Sequence, residues 1–229
     1  MPLARTLEPE VMDTVKEAVD YDNMDHSGVN ALFVDDLISL LVEKRGESFG
    51  RVVDVGAGTA LIPLELLARD VSVTAILACD LSFEMLRLAA QHKRDESSSA
   101  PLLPVFCDAK RMPIADRSAD AVISNSIIHH IPEPLTVFQE MKRVAAPNSL
   151  FFVRDLMRPE SEERVEHFVS MYAGEENPHS QQMFRQSLHA ALTVPEVQEM
   201  LNECGLPPEW VSATSDRHWT VRGIVRRPH

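Results

Sequence analysis

The residues whose types and spacing suit them for chemistry lie between positions 52 and 155. The segment VVDVGAGTA (52–60) sets a β-branched run ahead of Asp54, then Gly56, Gly58 and Thr59. Glycines there let the chain turn sharply against a ligand, and a helix beginning just beyond them aims its free N–H groups at the same spot. The plain alternative is an ordinary strand-to-helix turn. Asp80 then follows VTAILAC, Asp108 follows LLPVFC, Asn125 closes ADAVISN, and Asp155 closes SLFFVRD. A carboxylate at a strand end can accept hydrogen bonds from paired hydroxyls. Any one of these acids serves equally well as a solvated loop carboxylate or a helix cap. His129 and His130 follow Asn125 closely. Histidine titrates near neutrality, and a nearby carboxylate such as Asp155 orients it and raises its basicity. The pair are therefore candidates for a general base, with a loop-holding role as the alternative.

These residues need a scaffold that brings strand ends together. From residue 50 the pattern alternates: strand RVVDV (51–55), helix LIPLELLAR (61–69), strand 73–79, and a helix FEMLRLAAQHK capped by Ser82. DESSSAP (95–101) is a loop. LLPVFC (102–107) is a strand whose Pro104 points to an edge or a bulge. A strand at 119–125, a helix at 134–145 and a strand at 149–155 follow. Such alternation implies a parallel sheet with its ligand at the carboxyl ends of the strands. Before it, Pro9, Val11, Val15, Ala18 and Val19 suggest a first helix, and Leu32, Phe33, Leu37, Leu40 and Leu41 one face of a second. After it come a polar helical insertion (158–192) and a helix with capping-box spacing at Thr193 and Glu196, stopped by Gly205. WVSAT (210–214) and HWTVRGIVR (218–226) read as an antiparallel pair. The expected organisation is an N-terminal helical cap (1–49) and a single α/β domain (50–229) with a helical lid at 158–192.

The dinucleotide fingerprint G-x-G-x-x-G requires a third glycine at position 61, where this chain has Leu61. The pattern is instead D-x-G-x-G-x-A, which resembles the first motif of the class I S-adenosylmethionine-dependent methyltransferases. That family usually carries glycine where Ala60 stands. The resemblance runs well over residues 50–155 and in outline over 193–226; residues 1–49 and 158–192 match by position alone. It implies a doubly wound, seven-stranded mixed sheet of Rossmann-like methyltransferase fold, with the last strand antiparallel and S-adenosylmethionine as cofactor. By the same resemblance Asp80 takes the ribose hydroxyls, Leu81 lies against the adenine, Asp108 receives its amine and Ala109 contributes a backbone N–H. Asn125 marks the place of the methionine moiety. A similar His-His and strand-end Asp occur in members acting on the sugars of natural products, which makes His129 or His130 the base and Asp155 its partner. Tyr21, with Asp22 and Met24, closes over the cofactor from the N-terminal cap or else forms a turn between two helices.

The composition narrows the partners. With 229 residues and a net charge of −13, the chain repels phosphate backbones at long range, which argues against a nucleic-acid substrate. Arg222, Arg226 and Arg227 are the only basic cluster. No apolar run is long enough to span a membrane, and MPLARTLEPE lacks the apolar region of a signal peptide, so an intracellular, cytoplasmic protein is expected. Cys79, Cys107 and Cys204 read as reduced core residues. Asp80 and Asp108 would raise the pKa of a thiol beside them, which argues against a reactive cysteine. His167, His179 and His189 lack metal-ligand spacing, and no metal is expected. Arg217, His218 and Trp219 sit at a hairpin, where they pack a sheet edge or Trp219 serves a dimer contact. The leading expectation is methylation of O, N or S on a small-molecule acceptor by a monomer or homodimer. A cofactor-binding sensor without turnover, a nicotinamide-dependent oxidoreductase and a macromolecular methyltransferase are the rivals.

Overall fold

A computed structural model describes residues 3–8, 14–44, 48–95 and 100–226. Pro9, Val11, most of the 95–101 loop and Arg227 lie outside these residues. Seven strands form one sheet in the order β3-β2-β1-β4-β5-β7-β6. They are β1 (Ser48–Val55), β2 (Ser72–Asp80), β3 (Leu102–Phe106), β4 (Ala119–Asn125), β5 (Ala145–Leu156), β6 (Val211–Ala213) and β7 (His218–Ile224). The first five are parallel, and β7 runs antiparallel to both β5 and β6. The strand order therefore reverses between β1 and β4, and ligand crevices in open α/β sheets form at such a reversal. Pro104 lies in β3, an edge strand, where its missing N–H deprives no second neighbour.

Two apolar clusters, one on each face, hold the helices on. One joins Val53, Val55 and Val122 to Phe138, Met141 and Val144 of α5 (Pro134–Val144) and to Val197 and Leu201 of α8 (Val194–Glu203). The other joins Val52, Ala121 and Phe152 to Phe33, Leu37, Leu40 and Leu41 of α2 (Ser27–Lys44) and to Leu66 of α3 (Leu61–Leu67). Phe33 meets Phe152 edge to face at 4.9 Å between ring centres. Helix α2 is thus part of the sheet's covering layer. Leu32, read as part of its apolar face, is 63% exposed, and Val34 takes the buried place. Helix α1 (Val15–Asp22) packs Ala18 against Met85 and Leu88 of α4 (Phe83–Asp95). Helices α6 (Glu162–Ala173) and α7 (Pro178–Ala190) make up the insertion after β5.

Local signals act where the sequence puts them. Thr193 and Glu196 close a reciprocal capping box on α8, and the Ser82 hydroxyl accepts from Met85 N–H at the start of α4. Trp219 is fully buried beneath the sheet's antiparallel end. That excludes it from a dimer contact and settles its role as packing. No helix among the described residues is long and apolar enough to cross a membrane.

Candidate active site

An open cleft lies at the carboxyl ends of β1, β2, β3 and β4, and its wall includes Gly56, Gly58, Asp80, Leu81, Asp108, Ala109 and Asn125. The glycine loop hangs from the end of β2, because Gly56 and Ala57 both donate N–H to Cys79 O. Gly56 has φ +73°, and a Cβ there would come within 2.1 Å of Ile127. Any side chain would drive the β1 and β4 loops apart. Gly58 has φ +54° and faces Tyr21 at 3.8 Å from an added Cβ. Its requirement is conformational. Ala60 sits at φ +63°, a left-handed conformation costing an alanine roughly 1–2 kcal/mol and a glycine none.

Asp80 is the electrostatic centre of the cleft. One oxygen accepts from Gly58 N–H and the other from Ser82 N–H, both at 2.8 Å. Burial raises its pKa, and those backbone donors oppose the rise. Each oxygen keeps a lone pair for a further donor. Tyr21 reaches over the glycine loop from α1, and its phenol is pushed up to about 12 by burial and by the charges of Asp80, Asp54 and Asp22. Asp108 holds Lys110 by its backbone N–H at 2.8 Å and its ammonium at 3.1 Å.

Asp54 and Thr59 are buried and are not part of the cleft wall. The Asp54 carboxyl is pushed up to about 8 by burial and by the neighbouring Asp80. Cys79 and Cys107, read from the sequence as core residues, are both free and buried, yet both line the cleft. Their thiols hydrogen-bond each other, and that contact with burial keeps the Cys79 thiol protonated. Met85, Ile127 and Ile131 give the cleft an apolar wall, with Ser126 beside them. No periodicity signals them, because they lie on the rim of a helix and in a loop.

The histidines sit in a short turn of 3₁₀ helix after β4 (Ile128–His130). Asp155, wholly buried at the end of β5, accepts from the N–H groups of Ile128, His129 and Leu156. It also binds His129 Nδ1 at 2.5 Å. With Asp155 ionised, Nδ1 carries the proton and Nε2 is the basic side. Burial works against a charged His129, but Asp155 and Glu8 outweigh it and hold its pKa above the ordinary value. The opposite balance holds Asp155 low, burial being overcome by His129. The fold thus ties His129, and not His130, to Asp155. His130 lines the cleft, with its ring centre 4.1 Å from that of His129.

The sequence offers no hint of Arg5 and Glu8. Residues 3–8 run beside the histidine turn. The Arg5 guanidinium donates to the carbonyls of His129, Ile131 and Pro132, and to Ala190 at the end of α7. Glu8 places Oε1 3.5 Å from His129 Nε2 and 3.1 Å from His130 Nδ1. Such contacts span more than 120 residues of chain, and no spacing rule reaches that far.

The site fits the cofactor that the glycine loop suggests: a slot of apolar side chains, a buried carboxylate for paired hydroxyls, and backbone bent clear of the space. Comparisons with known proteins agree. Residues 53–153 match the family described as methyltransferase domain. A malonyl-[acyl-carrier protein] O-methyltransferase of Geobacter sulfurreducens is 32% identical over 134 residues, 58% of this chain and 48% of its own. A phosphatidylethanolamine N-methyltransferase of Cereibacter sphaeroides is 38% identical over 96 residues, 42% of this chain and 45% of its own. The chain spans about half the length of these curated relatives, or less. Among solved structures, an S-adenosylmethionine-dependent methyltransferase fold from Methanococcus maripaludis superposes with a TM-score of 0.72 at 17% identity, covering 98% of each chain. The plantazolicin methyltransferase BpumL, solved with S-adenosylhomocysteine, gives 0.70 at 14% identity over 92% of this chain and 89% of that one. Over residues 53–153 this chain is similar to the methyltransferase domain family, and its fold is that of the solved structures above.

Proposed function

We propose that the protein transfers the methyl group of S-adenosylmethionine to a small-molecule acceptor, with a hydroxyl as the accepting group. The observation that carries this is the joining, in one cleft, of the Asp80 carboxylate and glycine loop with the cleft-facing imidazole of His130. When bound, S-adenosylmethionine would supply an electrophilic sulfonium methyl. Asp80 would hold the ribose, and Asp108, Leu81 and Ala109 the adenine. Asn125 and Ser126 would flank the methionine end, with Tyr21 over the cofactor. A hydroxyl of high pKa benefits from a base. His130 meets the acceptor, while the buried His129–Asp155 pair holds the turn that carries it. Helices α6 and α7 cover the acceptor. The relatives' own printed activities, on a carrier-bound malonyl group and on a lipid headgroup amine, include both oxygen and nitrogen acceptors.

The test is calorimetric titration with S-adenosylmethionine, S-adenosylhomocysteine and NAD, followed by a screen of hydroxylated and amine acceptors. Micromolar binding of the adenosyl compounds without NAD, and transfer to hydroxyl acceptors, is the expected result. Binding of NAD alone would replace the reading with a dehydrogenase. Binding of the adenosyl compounds with no transfer to any acceptor would favour a sensor. His130→Ala should lower turnover ~10²-fold or more with cofactor affinity kept.

A further inference from the structure

The geometry points to a divalent transition-metal site, of zinc type, formed by Glu8, His129 and His130 at the edge of the cleft. One ligand atom from each lies within 4.8 Å of the other two. The two Glu8 edges measure 3.1 Å and 3.5 Å. Ligands at 2.0–2.1 Å from a tetrahedral ion are separated by about 3.3 Å, so both edges match that figure. The site is enclosed: the side chains of Glu8, His129 and His130 are 7%, 4% and 17% exposed.

Three further features separate this cluster from an ordinary ion pair. Glu8 Oε1 is buried and accepts no hydrogen bond, although two imidazole nitrogens stand beside it. Its partner oxygen Oε2 is fixed by the Ser187 hydroxyl at 3.1 Å, so the carboxylate is held in place. His129 gives its other ring nitrogen to Asp155, the arrangement by which proteins orient a metal-binding histidine and strengthen it as a ligand. Two histidines and one glutamate are also the ligand set of zinc sites that keep a fourth position open.

An ion there fastens residues 3–8 to the histidine turn. Because His130 also lines the cleft, the ion's open position is available to an oxygen from a bound molecule or water. If the methyl-transfer reading holds, an ion held by Glu8, His129 and His130 would acidify an acceptor hydroxyl in that position, the proton passing to solvent water and the oxygen then displacing S-adenosylhomocysteine from the methyl group. The binding site itself does not depend on that reading.

The test uses the full chain without a histidine tag, stripped by chelator, and titrates it with zinc chloride by calorimetry and with cobalt(II) by visible absorption. We expect one equivalent bound at micromolar affinity or better, tetrahedral cobalt bands, and affinity lowered ~100-fold or more in Glu8→Gln and in His130→Asn. Zinc should raise the melting temperature of the wild type and not that of Glu8→Gln. Metal-free melting curves of both variants establish that they fold. No saturable uptake, or uptake that both variants retain, would overturn the site. S-adenosylhomocysteine titrated in parallel keeps the two readings apart: zinc binding without it discards the cofactor, and the reverse discards only the metal.

Discussion

A single carboxylate, Asp80, ties the glycine loop to the start of α4 and faces the cleft at the same time. Asp80→Ala should weaken S-adenosylmethionine binding by ~2 kcal/mol or more, since two hydroxyls lose a charged acceptor. Asp80→Asn, which keeps one acceptor oxygen, should lose less, and equal losses in calorimetry would count against the ribose assignment. Asp54 behaves differently. Its carboxyl titrates near 8 in the fold, against about 3.9 in an unfolded chain, so the folded protein binds the extra proton between those values. Stability then falls as pH rises through that window. Asp80 stands beside this group and adds to the rise. Thermal melts from about pH 4 to about pH 8 should show a shallower decline in Asp54→Asn than in the wild type; parallel curves would mean that Asp54 is already ionised. Residues of this kind are legible in the sequence because strand ends announce them. Which of two adjacent histidines meets Asp155 is not legible, since a 3₁₀ turn sends neighbouring side chains to different sides and only the packed turn decides.

At the scale of elements, caps and strand–helix alternation were readable because they depend on a few consecutive residues. The capping box at Thr193 is an instance, and Thr193→Ala should cost about 1 kcal/mol in denaturant unfolding. The sheet's antiparallel end was readable from the short link between β6 and β7. Helix α2 shows the limit. Leu32 and Val34 are both apolar, and only the sheet beneath distinguishes the one that is buried. The segment carrying Arg5 was beyond reach for the same reason, since its partners are carbonyls far along the chain. Arg5→Ala removes charged hydrogen bonds to the histidine turn and to the end of α7. It should lower stability by about 2 kcal/mol and speed amide exchange in residues 128–132, with β1 to β3 unaffected.

Across the whole molecule, the net charge of −13 is joined to arginines that already face acids. Arg222 pairs with Glu43, Arg143 with Asp116 and Glu140, Arg154 with Asp36, Arg158 with Glu196 and Arg185 with Glu166. The basic cluster suspected near the carboxyl end is thereby partly neutralised. At about 0.15 M salt the protein should show no affinity for transfer RNA in a filter-binding assay, because a net charge of −13 repels phosphate backbones at long range.

The attachment of residues 3–8 has a consequence in time. During synthesis these residues emerge long before the carbonyls of His129, Ile131 and Ala190 that receive Arg5 exist. Contacts so distant in sequence are slow to form, since a long loop must close before they stabilise anything. The cofactor cleft, built from β1 to β4, draws on a shorter stretch of chain. A nascent chain therefore completes β1 to β4 before the Arg5 contacts that fasten the histidine turn, which come last.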